Sequence, residues 1–570
     1  MKNDLVISVL RSMADFLELM DENPFRIRAY RTAADNVAAL EEDIEEYFQE
    51  GVKKKIPGVG KDLAGKIRDI LSTGTFKEYD QIRRGVPAGV LDLVRVPSVG
   101  PKKAKLFYEK LDIASVEGLK KAIADKRISG LPGIKAKTVE NIRRGLELLE
   151  KGKERLDILT ATSVANKFIS ALKKRKEIAE IAVAGSLRRM KDTVRDVDIL
   201  IVSEQPKKAS RLFTGLPQVR RVVAEGPTRS SVITTDDVQV DLRVIPKDEF
   251  GAALLYFTGS KAHNIKLRQL AIKKGWKISE YGLFDKQGRR LASRAEEDIY
   301  RKLGMDFIAP ELREDSGEIE AASKGALPGL VSLKNILGDF HAHTNYSDGK
   351  NSVLEMAQKA RSLGYEYLCL TDHSVSLKVA HGLDEARLKR KKKEIQDANR
   401  GFKGFSVLFA TEAEIDAEGR IDYPEKILSQ FDLVIGAIHS GFKQTSQQLT
   451  RRIVRACRNR HVDIIAHPTG KLWPTRAPYD IDFEEVFKAA ADTGTALEIS
   501  AYPNRLDLSD VNARRAKEYG VRLAIGTDSH DISHLDYMAF GVGLARRAWL
   551  TPKDVLNTLP LKELQKQLKR

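Results

Sequence analysis

Several residue types are scarce in this sequence, and each shortage excludes a class of protein. Only two of the 570 residues are cysteine, Cys369 and Cys457, and both lie in apolar runs. So few cysteines exclude a disulfide framework and predict two buried thiols in a reducing cytoplasm. No apolar run approaches the roughly 18 residues of a membrane span, so we expect no transmembrane helix. The N-terminus, MKNDLVISVLRSMADFLELM, has acids among its apolar residues, which predicts an amphipathic helix rather than a signal peptide.

Histidine is scarce as well, and it is unevenly placed. Nine of the ten histidines follow residue 340, and His263 is the exception. This distribution indicates a separate C-terminal module with its own chemistry. Acidic residues are outnumbered by basic ones, 80 against 97, which leaves a formal charge of +17. Such an excess fits either a solvated basic surface or a nucleic-acid partner, and the motifs that contain the basic residues decide between them.

The patterns that are present divide the chain into regions. Residues 1–150 show helical apolar periodicity with short Gly/Pro turns, and strand-like runs such as DVDILIVS and VQVDLRVI begin near residue 180. Residues 314–335 lack strong periodicity and contain Gly, Ser and Pro, which predicts a linker. Beyond it, short apolar strands alternate with helices, which favours an α/β barrel or sheet.

Three glycine-containing turns recur in the N-terminal part: KKKIPGVGKDLAGKI, LVRVPSVGPKKAKLF and ISGLPGIKAKTVENI. Glycine allows positive φ and close approach of another backbone, and the first N–H groups of the helix that follows can face a phosphate. The turns resemble the helix-hairpin-helix motif, although Ser98 and Lys135 replace a glycine in the second and third copies. The DNA-backbone contacts that this resemblance implies are Gly58, Gly60, Val99, Gly100 and Gly133. The alternative for a single copy is an ordinary glycine at a helix C-terminus.

A set of carboxylates marks a candidate catalytic region. In AGSLRRMKDTVRDVDILIV, Gly185-Ser186 follows a strand, and Asp196 and Asp198 alternate on the next, so both side chains project from one face. VQVDLRVI adds Asp241. Three carboxylates can hold two Mg²⁺ ions, which suits nucleotidyl transfer to a 3′-hydroxyl. The alternative is an exposed D-x-D strand face without a ligand.

Residues 1–315 resemble the family X DNA polymerases of the gap-filling repair type. NPFRIRAYRTAA resembles their N-terminal lyase-type domain, GSLRRMKDTVRDVDILIV their palm, and LLYFTGSKAHNIKLR their nucleotide-selecting segment. The palm ligands that the resemblance implies, for Mg²⁺ or Mn²⁺, are Asp196, Asp198 and Asp241. The residues implied to bind the dNTP are Arg155, Gly185, Ser186 and Arg189 at the triphosphate, Tyr256, Phe257 and Gly259 at the deoxyribose, and Asn264 near the base and minor groove.

Lys66 matches the lysine that forms a Schiff base in lyase-competent members of that family. Such a lysine needs a lowered pKa, and the neighbouring Lys61 could help to lower it. Asp62, however, falls where those members have a second lysine. The alternative is that Lys66 contacts phosphate.

The C-terminal histidines follow apolar strands in a regular way. GDFHAHTNYSDG places His341 and His343 on one face of a strand, with Asp348 in the loop that follows, and further polar residues follow later strands. The full set is His341, His343, Asp348, His373, Glu412, His439, His467, Asp528 and His530. The C-terminal ends of the strands converge at one face of an α/β barrel, so these side chains would meet there. Imidazole and carboxylate together suit Zn²⁺, Mn²⁺ or Fe²⁺ better than Ca²⁺.

This set resembles the polymerase-and-histidinol-phosphatase (PHP) domain, a distorted barrel with a trinuclear metal centre, and it fills all the ligand positions of the active form. The resemblance also points to phosphate contacts from Lys471 and Arg505. His381, His461 and His534 lie outside the pattern, and we expect them on the surface or behind the ligands.

The whole chain therefore resembles bacterial family X polymerases with a C-terminal PHP domain. The fold class that this implies is multidomain, with a helical helix-hairpin-helix N-terminal region, an α+β nucleotidyltransferase palm and a distorted TIM-like α/β barrel. The predicted domains are a lyase-type domain at 1–82, a helix-hairpin-helix subdomain at 83–152, the palm at 153–245, a nucleotide-selecting subdomain at 246–315, a linker at 316–335 and the PHP domain at 336–570.

The resemblance implies a gap-filling repair polymerase, acting on gapped or nicked DNA with dNTPs, that also has metal-dependent 3′→5′ exonuclease activity. The resemblance also implies abasic-site endonuclease and 3′-phosphatase activity. We further expect a monomer that has no membrane partner and lies in the cytoplasm, associated with the nucleoid. Two alternatives stay open. One is a DNA-binding metallophosphatase whose palm grips nucleotide without polymerising, and the other is a non-enzymatic scaffold for repair factors.

Overall fold

The computed structural model describes residues 2–20, 22–38, 44–48, 56, 58–85, 87–94, 96 and 99–568. The chain forms two compact units, Met1–Lys153 with Pro474–Ala477 and Glu154–Trp473 with Pro478–Arg570. None of the helices within these described ranges has both the length and the hydropathy of a membrane span. Both cysteines are buried free thiols, as the sequence predicts.

The first unit is helical, in agreement with its apolar periodicity. Its helices are α1 (Lys2–Leu19), α2 (Pro24–Ala38), α3 (Lys61–Thr73), α4 (Lys77–Gly85), α5 (Ala88–Val94), α6 (Pro101–Leu111), α7 (Val116–Ala124) and α8 (Ala136–Glu154). The predicted amphipathic helix at the N-terminus is α1, whose Met13 and Leu17 lie in the first of two cores. The second core forms around Phe107 and Leu119.

The second unit begins with the palm, a five-stranded mixed sheet. The palm elements are β1 (Leu156–Asp157), α9 (Ile158–Leu172), β2 (Glu180–Val183), α10 (Gly185–Arg188), β3 (Thr193–Val194), β4 (Val197–Val202), α11 (Pro206–Thr214), β5 (Val219–Glu225), β6 (Arg229–Thr234) and β7 (Gln239–Ile245). The strand order is β2-β4-β7-β6-β5, and only β4 and β7 are parallel neighbours. This parallel pairing places Asp198 directly opposite Asp241.

A smaller region, which we call the thumb, follows the palm. Its elements are α12 (Phe250–Thr258), α13 (Lys261–Lys273), β8 (Lys277–Ser279), β9 (Gly282–Phe284), β10 (Arg290–Ala292), α14 (Glu296–Leu303) and α15 (Glu318–Ser323). Its core contains Leu267 and Tyr300.

The segment predicted as a linker from residue 316 is partly built into the thumb. In α15, Ile319 and Ala322 are buried in the thumb core, and Glu318 accepts a hydrogen bond from His263 Nδ1 at 2.7 Å. Val331, farther along the segment, is also fully buried. Periodicity missed α15 because a six-residue helix fixed by one buried polar contact leaves too short an apolar pattern.

The PHP region is an almost closed barrel of parallel strands in the order β11 to β17. These strands are β11 (Gly338–Ala342), β12 (Tyr367–Leu370), β13 (Ser406–Glu414), β14 (Leu433–Ala437), β15 (Ile464–Ile465), β16 (Ala496–Ser500) and β17 (Leu523–Gly526). Its helices are α16 (Val353–Ser362), α17 (Glu385–Arg400), α18 (Glu425–Leu428), α19 (Ser446–Cys457), α20 (Phe483–Thr493), α21 (Asp510–Glu518), α22 (Met538–Arg547) and α23 (Leu561–Gln567). The end strands meet where the His343 N–H donates to the Ser529 carbonyl at 2.7 Å.

One hydrophobic core continues from the palm sheet into the barrel. Helix α22 lies at this junction. Its Gly543 is so close to Met190 of the palm that a Cβ added at Gly543 would lie 2.4 Å from the Met190 side chain. The palm and the barrel are therefore packed against each other without a gap at this point.

Candidate active sites

The polar side chains predicted at the barrel lie together at the C-terminal ends of its strands. Eight of them form three overlapping groups whose ligand atoms lie within 4.8 Å of one another. The groups are His343, Asp348, His373 and His530; His341, His343 and Asp528; and His373, Glu412 and His439. His467 joins them through a 2.9 Å contact from its Nε2 to Glu412 Oε1. Because His343 and His373 are shared, the groups make one continuous centre with three subsites.

Glu412 lies in the middle of this centre. Its carboxylate is 2.9 Å from His373 Nδ1, 3.3 Å from His439 Nε2 and 3.4 Å from His341 Nε2. Burial alone would raise the pKa of Glu412, but the imidazoles of His439, His341 and His373 hold that pKa well below its ordinary value. With three imidazoles around it, this buried carboxylate can share a cation with them.

Two further glutamates orient the histidines from behind. Glu498 Oε1 lies 2.7 Å from His341 Nδ1, and Glu414 Oε2 lies 2.8 Å from His439 Nδ1. A carboxylate that accepts the Nδ1 proton leaves the Nε2 lone pair facing the centre. Sequence reasoning missed both glutamates. The available signal was a carboxylate inside an apolar strand, ALEIS, because acids are rarely buried without a partner.

These residues fit divalent metal ions. His341 Nε2 and both ring nitrogens of His343 are buried and have no hydrogen-bond partner. Buried polar atoms normally have partners, so unpartnered nitrogens that face buried carboxylates indicate a cation between them. The mixture of imidazole nitrogen and carboxylate oxygen matches Zn²⁺, Mn²⁺ and Fe²⁺.

Three further residues near the centre have contacts of their own. Arg505 lies at the centre, with its Nε 3.0 Å from Asp528 Oδ2 and its Nη1 buried without a partner. Lys471 donates to Asp192 of the palm at 2.7 Å, and phosphate contacts from Lys471 and Arg505 stay predictions. His534 lies behind a ligand, where its Nδ1 accepts the His530 N–H at 3.3 Å.

In the palm, the first residue of α10 must be glycine. Gly185 has φ 64°, and a Cβ there would lie 2.1 Å from Asp198 Oδ2. The absence of a side chain lets the Gly185-Ser186 turn lie against the carboxylates. Asp241 accepts hydrogen bonds from Gln239 Nε2 at 3.0 Å and from the Ser231 hydroxyl.

The palm carboxylates repel one another, and burial together with this repulsion raises the pKa values of two of them. Burial, with the charges of Asp196 and Asp241, raises the pKa of Asp198 to about 7. Burial and Asp241 also raise the pKa of Asp196. The protein supplies too little positive charge here, and a divalent cation would supply the rest. Among the described residues, ligand groups as tight as those of the barrel do not occur in the palm.

Several predicted dNTP-binding residues already contact other side chains or backbone. Arg189 Nε donates to Glu314 at 3.0 Å, and its Nη1 donates to the Thr258 carbonyl. Asn264 Nδ2 donates to the Tyr256 carbonyl at 2.7 Å.

The remaining residues predicted to bind dNTP have contacts of their own. The Tyr256 and Phe257 rings meet edge to face at 5.2 Å, and Gly259 ends α12 with φ 68°. Arg155 donates to the Thr193 hydroxyl at 2.8 Å and to its carbonyl. Contact of these residues with nucleotide stays a prediction.

The glycine turns of the first unit precede helices, as predicted. Gly60 and Gly100 are exposed N-caps of α3 and α6, with open space where a side chain would lie. Gly58 and Gly133 have φ values of 69° and 76°, and Val99 is buried. Ser98 lies outside the described residues. The open backbone suits a DNA phosphate, and the contact itself stays a prediction.

The surroundings of Lys66 oppose the predicted lyase role. Its Nζ lies 2.8 Å from Asp62 and 2.9 Å from Glu78, and it donates to the Tyr30 hydroxyl at 2.8 Å. Burial lowers the pKa of Lys66, but hydrogen bonds with Asp62 and Tyr30 outweigh it, and the pKa is raised. A Schiff-base lysine needs a neutral amine, so these carboxylates favour the unreactive ammonium form.

Four family models match the chain. The model of the DNA polymerase beta thumb matches residues 253–314, and that of the PHP domain matches residues 339–502. A helix-hairpin-helix domain model matches residues 1–76, and a SAM-like helix-hairpin-helix tandem model matches residues 90–148. The matches coincide with the thumb, the barrel and the glycine turns.

Known relatives extend the similarity over the whole chain. The chain is 38% identical over 568 residues to the DNA polymerase/3′-5′ exonuclease PolX of Bacillus subtilis (strain 168), which covers 99% of each protein. It is 32% identical over 246 residues to a probable phosphatase of Thermoanaerobacter sp. (strain X514), which covers 41% of this chain and 95% of that protein. A probable phosphatase of Caldanaerobacter subterraneus subsp. tengcongensis matches 37% of this chain at 32% identity and 83% of its own length. The resemblance found in the sequence is confirmed, and the chain belongs to the family X DNA polymerases that have a C-terminal PHP domain.

Proposed function

We propose that this protein is a gap-filling repair DNA polymerase whose palm extends a primer 3′ end and whose barrel removes nucleotides from such an end. The observation that carries the proposal is the whole-length similarity to a DNA polymerase/3′-5′ exonuclease. The two separate ligand sets of this chain support it. The substrates are DNA and dNTPs, and the sites use divalent metal ions. The enzyme acts as a monomer on gapped or nicked DNA. It lies in the cytoplasm, associated with the nucleoid.

In the palm, the residues of the chain bind and orient the dNTP. Ser186 and Arg189 hold the triphosphate, while Tyr256 and Phe257 lie against the deoxyribose and crowd a 2′-hydroxyl. Mg²⁺ or Mn²⁺ would be held by Asp196, Asp198 and Asp241. The chemistry that these ions supply when bound is activation of the primer 3′-hydroxyl and neutralisation of charge on the leaving pyrophosphate. The parallel register of Asp198 and Asp241 keeps both carboxylates on one side of the sheet, where Asp198 lies against Gly185.

In the barrel, the three subsites would hold up to three ions of Zn²⁺, Mn²⁺ or Fe²⁺. The chemistry that such ions supply is a nucleophile at neutral pH and stabilisation of charge on the phosphodiester oxygens. Glu498 and Glu414 keep His341 and His439 in the orientation that presents Nε2. Arg505, beside Asp528, offers its unpartnered Nη1 to an oxygen of the scissile phosphate.

A second candidate function is a DNA-binding metallophosphatase whose palm holds nucleotide without polymerising. The similarity to two probable phosphatases favours it. Under either function, abasic-site endonuclease and 3′-phosphatase activities would reside in the barrel. The exposed glycine turns of the first unit would hold the DNA backbone in both cases.

Primer extension on a gapped duplex separates the two candidates. With dNTPs and Mg²⁺ or Mn²⁺, we expect the wild-type protein to fill the gap and, without dNTPs, to shorten the primer. Asp196→Ala should abolish filling and leave shortening intact. A wild-type protein that shortens the primer but never extends it would support the metallophosphatase. Duplexes with an abasic site or a 3′-phosphate test the two additional activities.

A further inference from the structure

The arginine assigned to the triphosphate is held in place by a side chain of the barrel region. We infer that Arg547, at the end of α22, is a positioning residue for nucleotide binding in the palm and acts on Arg189 through Glu314. The inference rests on the proposed function, because that function assigns Arg189 to the triphosphate. It gives the barrel region a part in the polymerase site that is separate from its metal centre.

The contacts join the three residues in one network. Glu314 Oε1 lies 3.0 Å from Arg189 Nε and 3.0 Å from Arg547 Nη1. Lys191 Nζ lies 3.5 Å from the same oxygen. Arg547 Nη1 also donates to the backbone carbonyl of Arg189 at 2.8 Å. Arg547 therefore contacts the backbone of Arg189 and the carboxylate that binds its side chain.

The same helix fixes the residue after Arg189. Met190 has φ 55°, a conformation that a side-chain-bearing residue adopts only when its surroundings impose it. Its side chain packs against Gly543 of α22, where a Cβ would lie 2.4 Å from Met190 Cε. Arg547 is itself held by Asp510, and its side chain is only 4% exposed.

The other end of the Arg189 guanidinium faces the predicted sugar contact. Arg189 Nη1 donates to the Thr258 carbonyl, and a Cβ at Gly259 would lie 3.3 Å from that nitrogen. Glu314 and Thr258 thus fix the guanidinium plane beside the residues assigned to the deoxyribose.

The neighbouring arginine provides an internal comparison. Arg188 Nη2 lies 2.6 Å from Glu296 Oε2, and Arg188 Nη1 donates to the Thr258 hydroxyl at 2.7 Å. Glu296 is shared with Arg313, which is also in the thumb region. Arg188 is therefore held by the polymerase region alone, whereas Arg189 depends on a side chain of the barrel region.

Charge balance predicts the effect of losing Arg547. Without Arg547, Glu314 would be shared only by Arg189 and the more distant Lys191, so it would neutralise Arg189 more fully and weaken its attraction for an anionic triphosphate. The positive charge of Arg547 on the same carboxylate offsets that neutralisation at short range, where charge interactions are strongest. Removing Arg547 should therefore weaken dNTP binding more than it slows the chemical step, which raises KM with little change in kcat.

The test uses the full-length protein with Arg547→Gln and a titration of dNTP in single-nucleotide gap filling. We expect the dNTP KM to rise about tenfold, as for loss of a charge-assisted contact, and kcat to stay within about twofold. The matched control is Arg546→Gln on the same helix. Arg546 donates to Glu311 at 2.7 Å and to the Val331 carbonyl at 3.1 Å, and it contacts neither Arg189 nor Glu314. Its variant should keep the wild-type KM.

An unchanged KM in Arg547→Gln would overturn the inference. Equal rises in both glutamine variants would also overturn it, because general loosening of the palm–barrel contact would then be the cause. Unchanged 3′→5′ exonuclease activity of the two glutamine variants would show that their barrel is folded. Should Arg547→Gln fail to fold, Arg547→Lys tests the same network, because one ammonium keeps the charge but cannot bind Glu314, the Arg189 carbonyl and Asp510 at once. The KM should then rise about twofold to threefold, as for a weaker contact, and no rise overturns the inference.

A wild-type protein without nucleotide incorporation would contradict the proposed function, and an Arg189→Gln variant with normal KM would contradict the assignment of Arg189.

Discussion

The polymerase region and the barrel bury histidine in opposite ways. His263 in the thumb is fully buried, and both ring nitrogens have partners, Glu318 at 2.7 Å and the Tyr300 hydroxyl at 2.9 Å. His341 and His343 in the barrel are equally buried, yet they have ring nitrogens without a hydrogen-bond partner. Burial alone therefore does not identify a metal ligand. The useful signal is a set of unpartnered lone pairs that face the same carboxylates.

The carboxylates of the two regions show the same contrast. Asp198 has acidic neighbours, which together with burial raise its pKa to about 7. Glu412 has imidazole neighbours, which overcome burial and lower its pKa. The barrel brings imidazoles and carboxylates together in three tight groups, so we expect it to retain metal without substrate. The palm offers carboxylates alone and no group as tight among the described residues, so we expect its ions to bind mainly together with the dNTP.

The largest effect is expected from Glu412→Gln, which removes the carboxylate that lies in the middle of the barrel centre. The desalted variant should lose most of the metal that the wild type retains, and exonuclease activity should fall about a thousandfold. Elemental analysis and a labelled single-stranded primer measure the two quantities. Primer extension by the same preparation serves as the folding control. Wild-type metal content in the variant would remove Glu412 from the centre.

Asp198→Asn should cause a comparable loss of the other activity, primer extension. Primer extension is expected to fall about a thousandfold, because one of the three carboxylates proposed to hold the palm ions is lost. Retained metal and exonuclease activity should match the wild type, because Asp198 belongs to none of the three barrel groups. Loss of both activities together would contradict two separate centres.

Glu498→Gln should have an intermediate effect. The residue contacts His341 Nδ1 rather than the ions, and loss of such a contact typically lowers metal affinity or activity about 10- to 100-fold. Competition with a chelator compares the metal affinities. Glu355→Gln is the matched control, because Glu355 only caps the exposed start of α16. Equal chelator resistance in the two variants would show that Glu498 does not orient a ligand.

The smallest effect concerns the thumb histidine. Burial lowers the pKa of His263. Burial alone would raise the pKa of Glu318, but the hydrogen bond from His263 lowers it. Both folded-state pKa values lie below their unfolded values, so their contribution is complete above about pH 6.5 and is lost as pH falls. Hydrogen exchange in α13 and α15, corrected for intrinsic rates, should show protection decreasing from pH 7.5 to pH 5.5.

His263→Gln is the control for this pH effect. It should lower the free energy of local opening by about 1–2 kcal/mol at pH 7.5, through loss of a buried hydrogen bond. It should also remove much of the pH dependence between pH 6.5 and 5.5. The same pH dependence in the variant would assign the effect to other groups.

Sequence spacing was sufficient for the barrel ligands because strand geometry is local and regular. His341 and His343 share a face by strand alternation, and parallel strands then bring the ends of β12 to β17 to that face. The same rule predicts a shared face for Asp196 and Asp198, but Asp196 lies in a bend before β4, so strand alternation does not account for its position. Residue type supplied the rest, because histidine is scarce elsewhere in the chain.

Spacing was insufficient where a contact joins distant parts of the chain. Glu498 and His341 are 157 residues apart, and Arg547 and Glu314 are 233 residues apart. No local pattern relates such pairs, and only the packed fold brings them together. The acidic partner Glu78 of Lys66 was missed for the same reason, although Asp62 was visible as its helical neighbour.

Anomalous diffraction at the manganese edge tests the central claim most directly. Crystals of the wild-type protein grown with Mn²⁺ and without nucleotide should show anomalous density among the three barrel groups of His, Asp and Glu side chains. The palm carboxylates should gain such density only when a dNTP and a primer end are added. Barrel groups without anomalous density, while the protein still hydrolyses DNA, would contradict the account.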